Sequence, residues 1–243
     1  MFFKFTLFIS ALLVFSGCSE ANSSEHTIAK IAEASGIAYC TNSNTLVVAN
    51  DEGALYELST EGKLLSTHKL GEYDLEGVVC HDDHYVFAVE NGYILIVDRE
   101  TKLSDTLKIK GKKIKFSKKS GIEGIAYNDG LYYLSIQAKK KKDAKIIVVK
   151  LGKNYAKIVK VIEHGIVDTA GLEYKDGKIF MVSDKKDKLY VYDLKKDKIT
   201  KKVKLDKFAQ EGIAFDNEKN VYFADDDGTV KKYTSKEVKL KGI

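Results

Sequence analysis

The chain has 243 residues, 44% hydrophobic and 10% aromatic, which excludes wholesale disorder and leaves room for one β-propeller or two ordinary domains. A net charge of +5, from 40 basic against 35 acidic residues, is too mild and too mixed for a nucleic-acid binder, and no nucleic-acid motif accompanies it. Proline is absent, so the turns must rely on glycine, asparagine and aspartate.

Lys4 and the apolar run from Phe5 to Phe15 have the form of a secretory signal, too short to span a bilayer. The tetrapeptide Phe15-Ser16-Gly17-Cys18 resembles the bacterial lipoprotein box, with Phe15 where leucine is usual. That resemblance implies cleavage before Cys18, lipidation of its thiol and anchoring in the cell envelope; an ordinary signal peptide with a chance cysteine is the alternative. Ser19 after the cysteine resembles outer-membrane retention, facing the periplasm in a Gram-negative host. The expected organisation is therefore a signal peptide over 1–17, a lipidated tether over 18–26 and one propeller domain over 27–243.

Thr27 to Ala32 precedes the repeats and is expected to pair with the last unit and close a ring, or to lie along an edge strand. Four strands are then expected per unit, each a short apolar or alternating run bounded by Gly, Asn or Asp. Unit one offers Thr45 to Ala49, Leu55 to Leu58 and Leu64 to Leu70 after its first strand. Unit two offers Tyr85 to Val89, Ile94 to Asp98 and Thr106 to Ile109. In unit three, Gly124 to Tyr127 is followed by the hairpin turn Asn128-Asp129-Gly130, then Leu131 to Ile136, Lys145 to Lys150 and Tyr155 to Ile162. Unit four offers Ile179 to Ser183, Leu189 to Leu194 and Ile199 to Leu205. Unit five offers Val221 to Ala224, Thr229 to Tyr233 and Glu237 to Leu240.

The units share a motif. Glu123-Gly124-Ile125-Ala126-Tyr127 has near-copies at Ser35-Gly36-Ile37-Ala38-Tyr39, Glu76-Gly77-Val78-Val79-Cys80, Ala170-Gly171-Leu172-Glu173-Tyr174 and Glu211-Gly212-Ile213-Ala214-Phe215. Its glycines are spaced by 41, 47, 47 and 41 residues, the period of propeller blades. No long 3.6-period apolar stripe follows the signal, so the mature chain is expected to be all-β: a five-bladed β-propeller with four antiparallel strands per blade. Cys40 and Cys80 end neighbouring first strands one position out of register, hence on opposite faces. Two free, buried thiols are expected there rather than a disulfide.

The repeated Glu-Gly-Ile-Ala-Tyr motif, with Leu46-Val47-Val48-Ala49-Asn50-Asp51-Glu52 and Leu55-Tyr56-Glu57-Leu58, resembles the SdiA-regulated family over roughly Ile31 to Leu240. That is a bacterial group of NHL-related, five-bladed propellers, often envelope-anchored. The resemblance implies a calcium-binding propeller and leaves its biological role open.

First strands line the channel of a propeller, so the residues before the glycines should form a ring: Ser35, Glu76, Glu123, Ala170 and Glu211. A second ring lies 13 positions after each glycine, 14 in unit one: Asn50, Glu90, Gln137, Asp184 and Asp225. Six carboxylates converging on one mouth would repel unless some are protonated or a cation binds. Calcium suits them, because it takes six to eight oxygen ligands and needs no His or Cys; Asn50 and Gln137 would add neutral oxygens. Buried waters and backbone amides are the bland alternative.

Other chemistry is weakly supported. The five histidines share no blade position, there is no Gly-x-Ser-x-Gly elbow, and Asp225-Asp226-Asp227-Gly228 lacks the ligand spacing of an EF-hand. Tyr132, Tyr133, Tyr190 and Tyr192 read as packing between blades. Lys112, Lys113, Lys115, Lys118 and Lys119 crowd the connection into unit three, and Lys139, Lys140, Lys141 and Lys142 its B-to-C loop. Solvated loops are the default reading, and a cationic lip beside the acidic mouth is the functional one. The expectation is a membrane-anchored, calcium-binding module for an anionic small molecule or envelope component. The alternative is a calcium-dependent phosphoesterase or lactonase.

Overall fold

The computed structural model describes residues 25–111, 114–117 and 120–240. A short strand, β1 (Thr27–Lys30), opens the chain. Four-stranded antiparallel meanders follow. The first is β2 (Ala34–Cys40), β3 (Thr45–Asn50), β4 (Ala54–Ser59) and β5 (Leu64–Lys69). The second is β6 (Leu75–Cys80), β7 (His84–Val89), β8 (Tyr93–Asp98) and β9 (Ser104–Lys110). The third is β10 (Ile122–Asn128), β11 (Leu131–Ile136), β12 (Lys145–Leu151) and β13 (Ala156–Glu163). The fourth is β14 (Leu172–Lys175), β15 (Lys178–Ser183), β16 (Lys188–Asp193) and β17 (Lys198–Lys204), and β18 (Gln210–Phe215), β19 (Asn220–Asp225) and β20 (Thr229–Thr234) end the series.

The strand order is β1-β20-β19-β18 in one sheet, β14-β15-β16-β17 and β2-β3-β4-β5 in two others, and β10-β11-β12-β13-β9-β8-β7-β6 in an eight-stranded sheet. The eight strands are two meanders touching at their outer strands. Their parallel join is two residue pairs long, Ala156 with Ile109 and Lys157 with Lys110. This is an all-β, propeller-like fold. Among the described residues no helix is long and apolar enough to cross a membrane.

Alternating faces of each meander pack on different neighbours, which is why the inner strands are apolar on both sides. Ala38, Val47 and Ala49 meet Val78, Tyr85 and Phe87, while Ile37, Leu46 and Val48 meet Ala214, Tyr222 and Ala224. The last contact joins the end of the chain to its beginning and closes a ring. The glycines mark its waist. A Cβ added at Gly36 would lie 2.4 Å from Gly77 Cα, and one at Gly77 would lie 3.1 Å from Gly124 Cα. One at Gly124 would lie 3.0 Å from Gly171 Cα, one at Gly171 2.6 Å from Gly212 Cα, and one at Gly212 3.1 Å from Gly36 Cα. Only a residue without a side chain lets these backbones meet.

The turn Asn128-Asp129-Gly130 forms as expected, with φ of 46° at Asp129 and 76° at Gly130, the left-handed pair of a type I′ hairpin. Two expectations fail. Glu237 to Leu240 is not a strand. β1 occupies the fourth place of its sheet, antiparallel to β20, where Lys232 N donates to His26 O (2.8 Å) and the His26 ring stacks on Tyr233 at 3.9 Å. The expected pairing of the segment Thr27 to Ala32 with the last unit therefore holds. Residues 237–240 instead fold back as a turn, with Leu240 N donating to Ser235 O, and bury Val238 and Leu240.

The second correction is at the cysteines. Cys40 and Cys80 are disulfide-bonded, with Cα atoms 5.4 Å apart. Opposite faces argue against a bridge only when two strands belong to one sheet. Here β2 and β6 belong to successive meanders, whose facing surfaces are opposite faces of their own sheets. Cys40 shares a face with Ala38, and Cys80 with Val78, and those faces pack together.

Candidate functional site

The site starts from a backbone irregularity. The ladder register shifts between Ala34 and Gly36, Leu75 and Gly77, Ile122 and Gly124, and Gln210 and Gly212. The skipped residues are Ser35, Glu76, Glu123 and Glu211. Each is a β-bulge residue, freed from the ladder and re-aimed at the mouth of the channel. In the fourth meander β14 starts only at Leu172, and Ala170 N bonds to Val182 O instead.

Glu76 and Glu211 line the narrow channel beside the glycines. The Glu76 carboxyl is pushed far above the usual range, first by burial and then by Glu123, Asp51, Asp74 and Glu211. Glu123 is raised by burial and by Glu90, Asp168, Asp51 and Asp74. Glu211 is raised well above its usual range by burial, Glu123, Asp226, Asp184 and Asp168. Burial, Asp74 and Asp226 hold Asp51 at about 7. Among the described residues, no lysine or arginine comes within ion-pair distance of Glu76, Glu123, Glu211 or Asp51. The tightest group is Asp51, Asp74 and Glu76, with one carboxylate oxygen from each within 4.8 Å of the others.

The expected second ring divides. Glu90 lies over Gly121, where an added Cβ would meet its Cγ at 2.4 Å, and its charge reaches Glu123. Asp184 joins the acidic field, raised by burial and by Asp168. Gln137 is fixed through its backbone, its N–H donating to Gly121 O at 2.9 Å. Asn50 and Asp225 have turn-forming roles. Asn50 Oδ1 accepts from Ala54 N at 2.9 Å. Asp225 accepts from Ala209 N, Asp227 N and Thr229 Oγ1 and pairs with buried Lys231 at 3.4 Å. Ser35 donates to Leu75 O.

Asp51, Asp74, Asp168 and Asp226 were missed because they lie in connections, where strand register carries no information. The signal available was position: Asp51 and Asp226 each follow a second-ring residue, while Asp74 and Asp168 stand two before a first-ring one. Lys139 to Lys142 are exposed around a short 3-10 turn, Lys141–Asp143. Cys18, Lys112, Lys113, Lys118 and Lys119 lie outside the described residues.

The donors suit a hard cation. All are oxygens, and Asp51 Oδ1 is buried with no hydrogen-bond partner among the described residues. A dication would neutralise what burial and crowding now oppose.

A family model described as SdiA-regulated matches residues 20–226. No curated protein matches the chain. Among solved structures, a glutaminyl cyclase from Myxococcus xanthus is similar with a TM-score of 0.65 and 12% identity, over 85% of this chain and 92% of the other. At that identity the likeness concerns the fold alone.

Proposed function

The chain belongs to the SdiA-regulated family, and on that premise we propose that it is a five-bladed, calcium-binding propeller of the cell envelope that recognises an anionic ligand. The blade count takes the eight-stranded sheet as two blades sharing a two-residue contact, and it is supported by the closed chain of glycine contacts. Cys18 is the residue through which the chain would be lipidated and held at the membrane.

One observation carries the reading: the grouped oxygens of Asp51, Asp74 and Glu76 beside an orphaned Asp51 Oδ1. Glu123, Glu211 and Glu90 complete the negative field, and Asp184 extends it. Calcium supplies concentrated positive charge to such a site. Bound through one oxygen each, the three carboxylates would fill three of the six to eight positions calcium takes, which would leave places for oxygens of a phosphate or carboxylate ligand. Exposed Lys139, Lys140, Lys141 and Lys142 would share that ligand's charge. The same open positions would serve a calcium-dependent phosphoesterase or lactonase, which an esterase and phosphatase screen would reveal.

The deciding experiment is metal analysis of the purified full chain, followed by thermal unfolding with calcium and with chelator. Calcium at about a hundred times its Kd would stabilise the protein by about 2.7 kcal/mol. A midpoint indifferent to both additions removes the ion from the reading.

A further inference from the structure

The other end of the channel holds a different site. Two positions after the glycines the repeats place Ala38, Val79, Ala126 and Ala214, but the fourth repeat places Glu173. Three positions after them stand Tyr39, Cys80, Tyr127, Tyr174 and Phe215, four aromatic rings and a disulfide cysteine. A cavity of about 160 Å³ opens here, lined by Tyr39, Val79, Cys80, Ala126, Tyr127 and Glu173 among others. Along a strand this end is some three residues, roughly 10 Å, from the acidic bulges.

Glu173 Oε1 accepts one hydrogen bond, from Tyr174 N at 2.9 Å. Among the described residues no cation lies within ion-pair distance of it, and the charge of Lys175 only partly offsets its burial. Lys175, two residues on, has its ammonium over the Phe215 ring at 5.5 Å. The phenol oxygens of Tyr39, Tyr127 and Tyr174 are engaged with Asn44, Gly130 N and Gly177 N, which ties the hydroxyls to the hairpin turns. A carboxylate among small apolar side chains and tyrosines, with space beside it, has no structural task that alanine or valine does not perform in the other repeats.

We propose that this cavity binds a small organic cation, a primary or quaternary ammonium, whose charge pairs with Glu173 and rests against the rings of Tyr39 and Tyr127. Water's share of liquid volume, about 30 Å³, gives the cavity room for a head group of some five heavy atoms. Cation–π attraction favours ammonium over a neutral isostere, and the carboxylate adds direction. Burial raises the Glu173 carboxyl to about 8. The ligand therefore binds the ionised form and displaces a proton near neutral pH. The other titratable groups on the five first strands are Tyr39, Tyr127, Tyr174 and Lys175 at this end and Glu76, Glu123 and Glu211 at the other. His81 stands edge-on to Tyr127, the charges of Asp216 and Glu218 act on Tyr39, and Cys80 is held in its disulfide.

The test titrates the full chain with tetramethylammonium chloride and ethanolamine, using potassium chloride and acetate as controls, by calorimetry in buffers of different ionisation heat. Wild type should bind the ammonium ions, release a proton on binding, and gain about tenfold in affinity from about pH 6 to about pH 9. Glu173→Gln should lose about tenfold and become indifferent to pH. Glu123→Gln, altered at the far mouth, should bind as wild type does, which separates this site from the calcium reading. If Glu173→Gln fails to fold, Tyr127→Leu decides: tetramethylammonium affinity should fall about threefold. Absence of ammonium binding by wild type overturns the proposal. So does equal binding by a folded Glu173→Gln, an unchanged Tyr127→Leu, or equal response to potassium.

Discussion

The two ends of the inner strands share a backbone and a glycine waist, yet they are built on opposite electrostatic plans. At the starting end the bulges turn Glu76, Glu123 and Glu211 out of the ladder and add loop aspartates, so that acid crowds acid. At the finishing end the ladders are regular, the ring is small apolar and aromatic side chains with one disulfide cysteine, and a solitary Glu173 stands against it. In both places burial raises carboxyl groups. Only at the starting end do neighbouring acids add to it, and only there would a divalent ion relieve both penalties. A single carboxylate cannot hold calcium, but it can select a monovalent charge.

The largest effect should come from the finishing end. Cys40→Ala with Cys80→Ala removes a cross-link over a sequence separation of 40. The expected loss is about 4 kcal/mol by urea denaturation, with the calcium response intact. A mutant that also loses that response would show the two ends to be coupled. Next comes the waist they share. Gly36→Ala puts a Cβ against Gly77 backbone at 2.4 Å, and overpacking there should cost about 3 kcal/mol. Both ends should then suffer together.

The starting end is probed by pH. Its carboxyl groups titrate above their unfolded values, so their stabilising contribution is complete below the ordinary carboxylate range and is lost as pH rises through the raised values. In chelator the thermal midpoint should therefore fall between about pH 5 and about pH 9, and calcium's benefit of about 2–3 kcal/mol should grow over the same interval. Glu76→Gln sharpens this: it should gain about 1 kcal/mol in chelator near pH 8 and respond less to calcium. A variant less stable than wild type in chelator would contradict the crowding. The smallest effect is expected at the rim. Replacing Lys139 to Lys142 with Gln should change stability by less than about 0.5 kcal/mol while weakening binding of inorganic phosphate in the presence of calcium.

Much of the architecture is written in local pattern. The glycine period, the alternating strands and the turn at Asp129-Gly130 follow from spacing and side-chain geometry, and each holds within a few residues. The acidic ring at Glu76, Glu123 and Glu211 was legible for the same reason, because a repeated motif places equivalent residues equivalently. Contacts between repeats were not legible. That β1 rather than Glu237 to Leu240 completes the last sheet is a choice between segments of similar propensity, made by whether Val238 and Leu240 or the edge of β20 gains more by burial. The Cys40–Cys80 bridge depends on one sheet's face meeting the opposite face of the next, which strand register cannot express. Asp51 and Asp74 meet Glu76 through two connections whose course is set by the packed ring. Periodicity describes a residue's place within its own strand; only the closed structure decides what stands across from it.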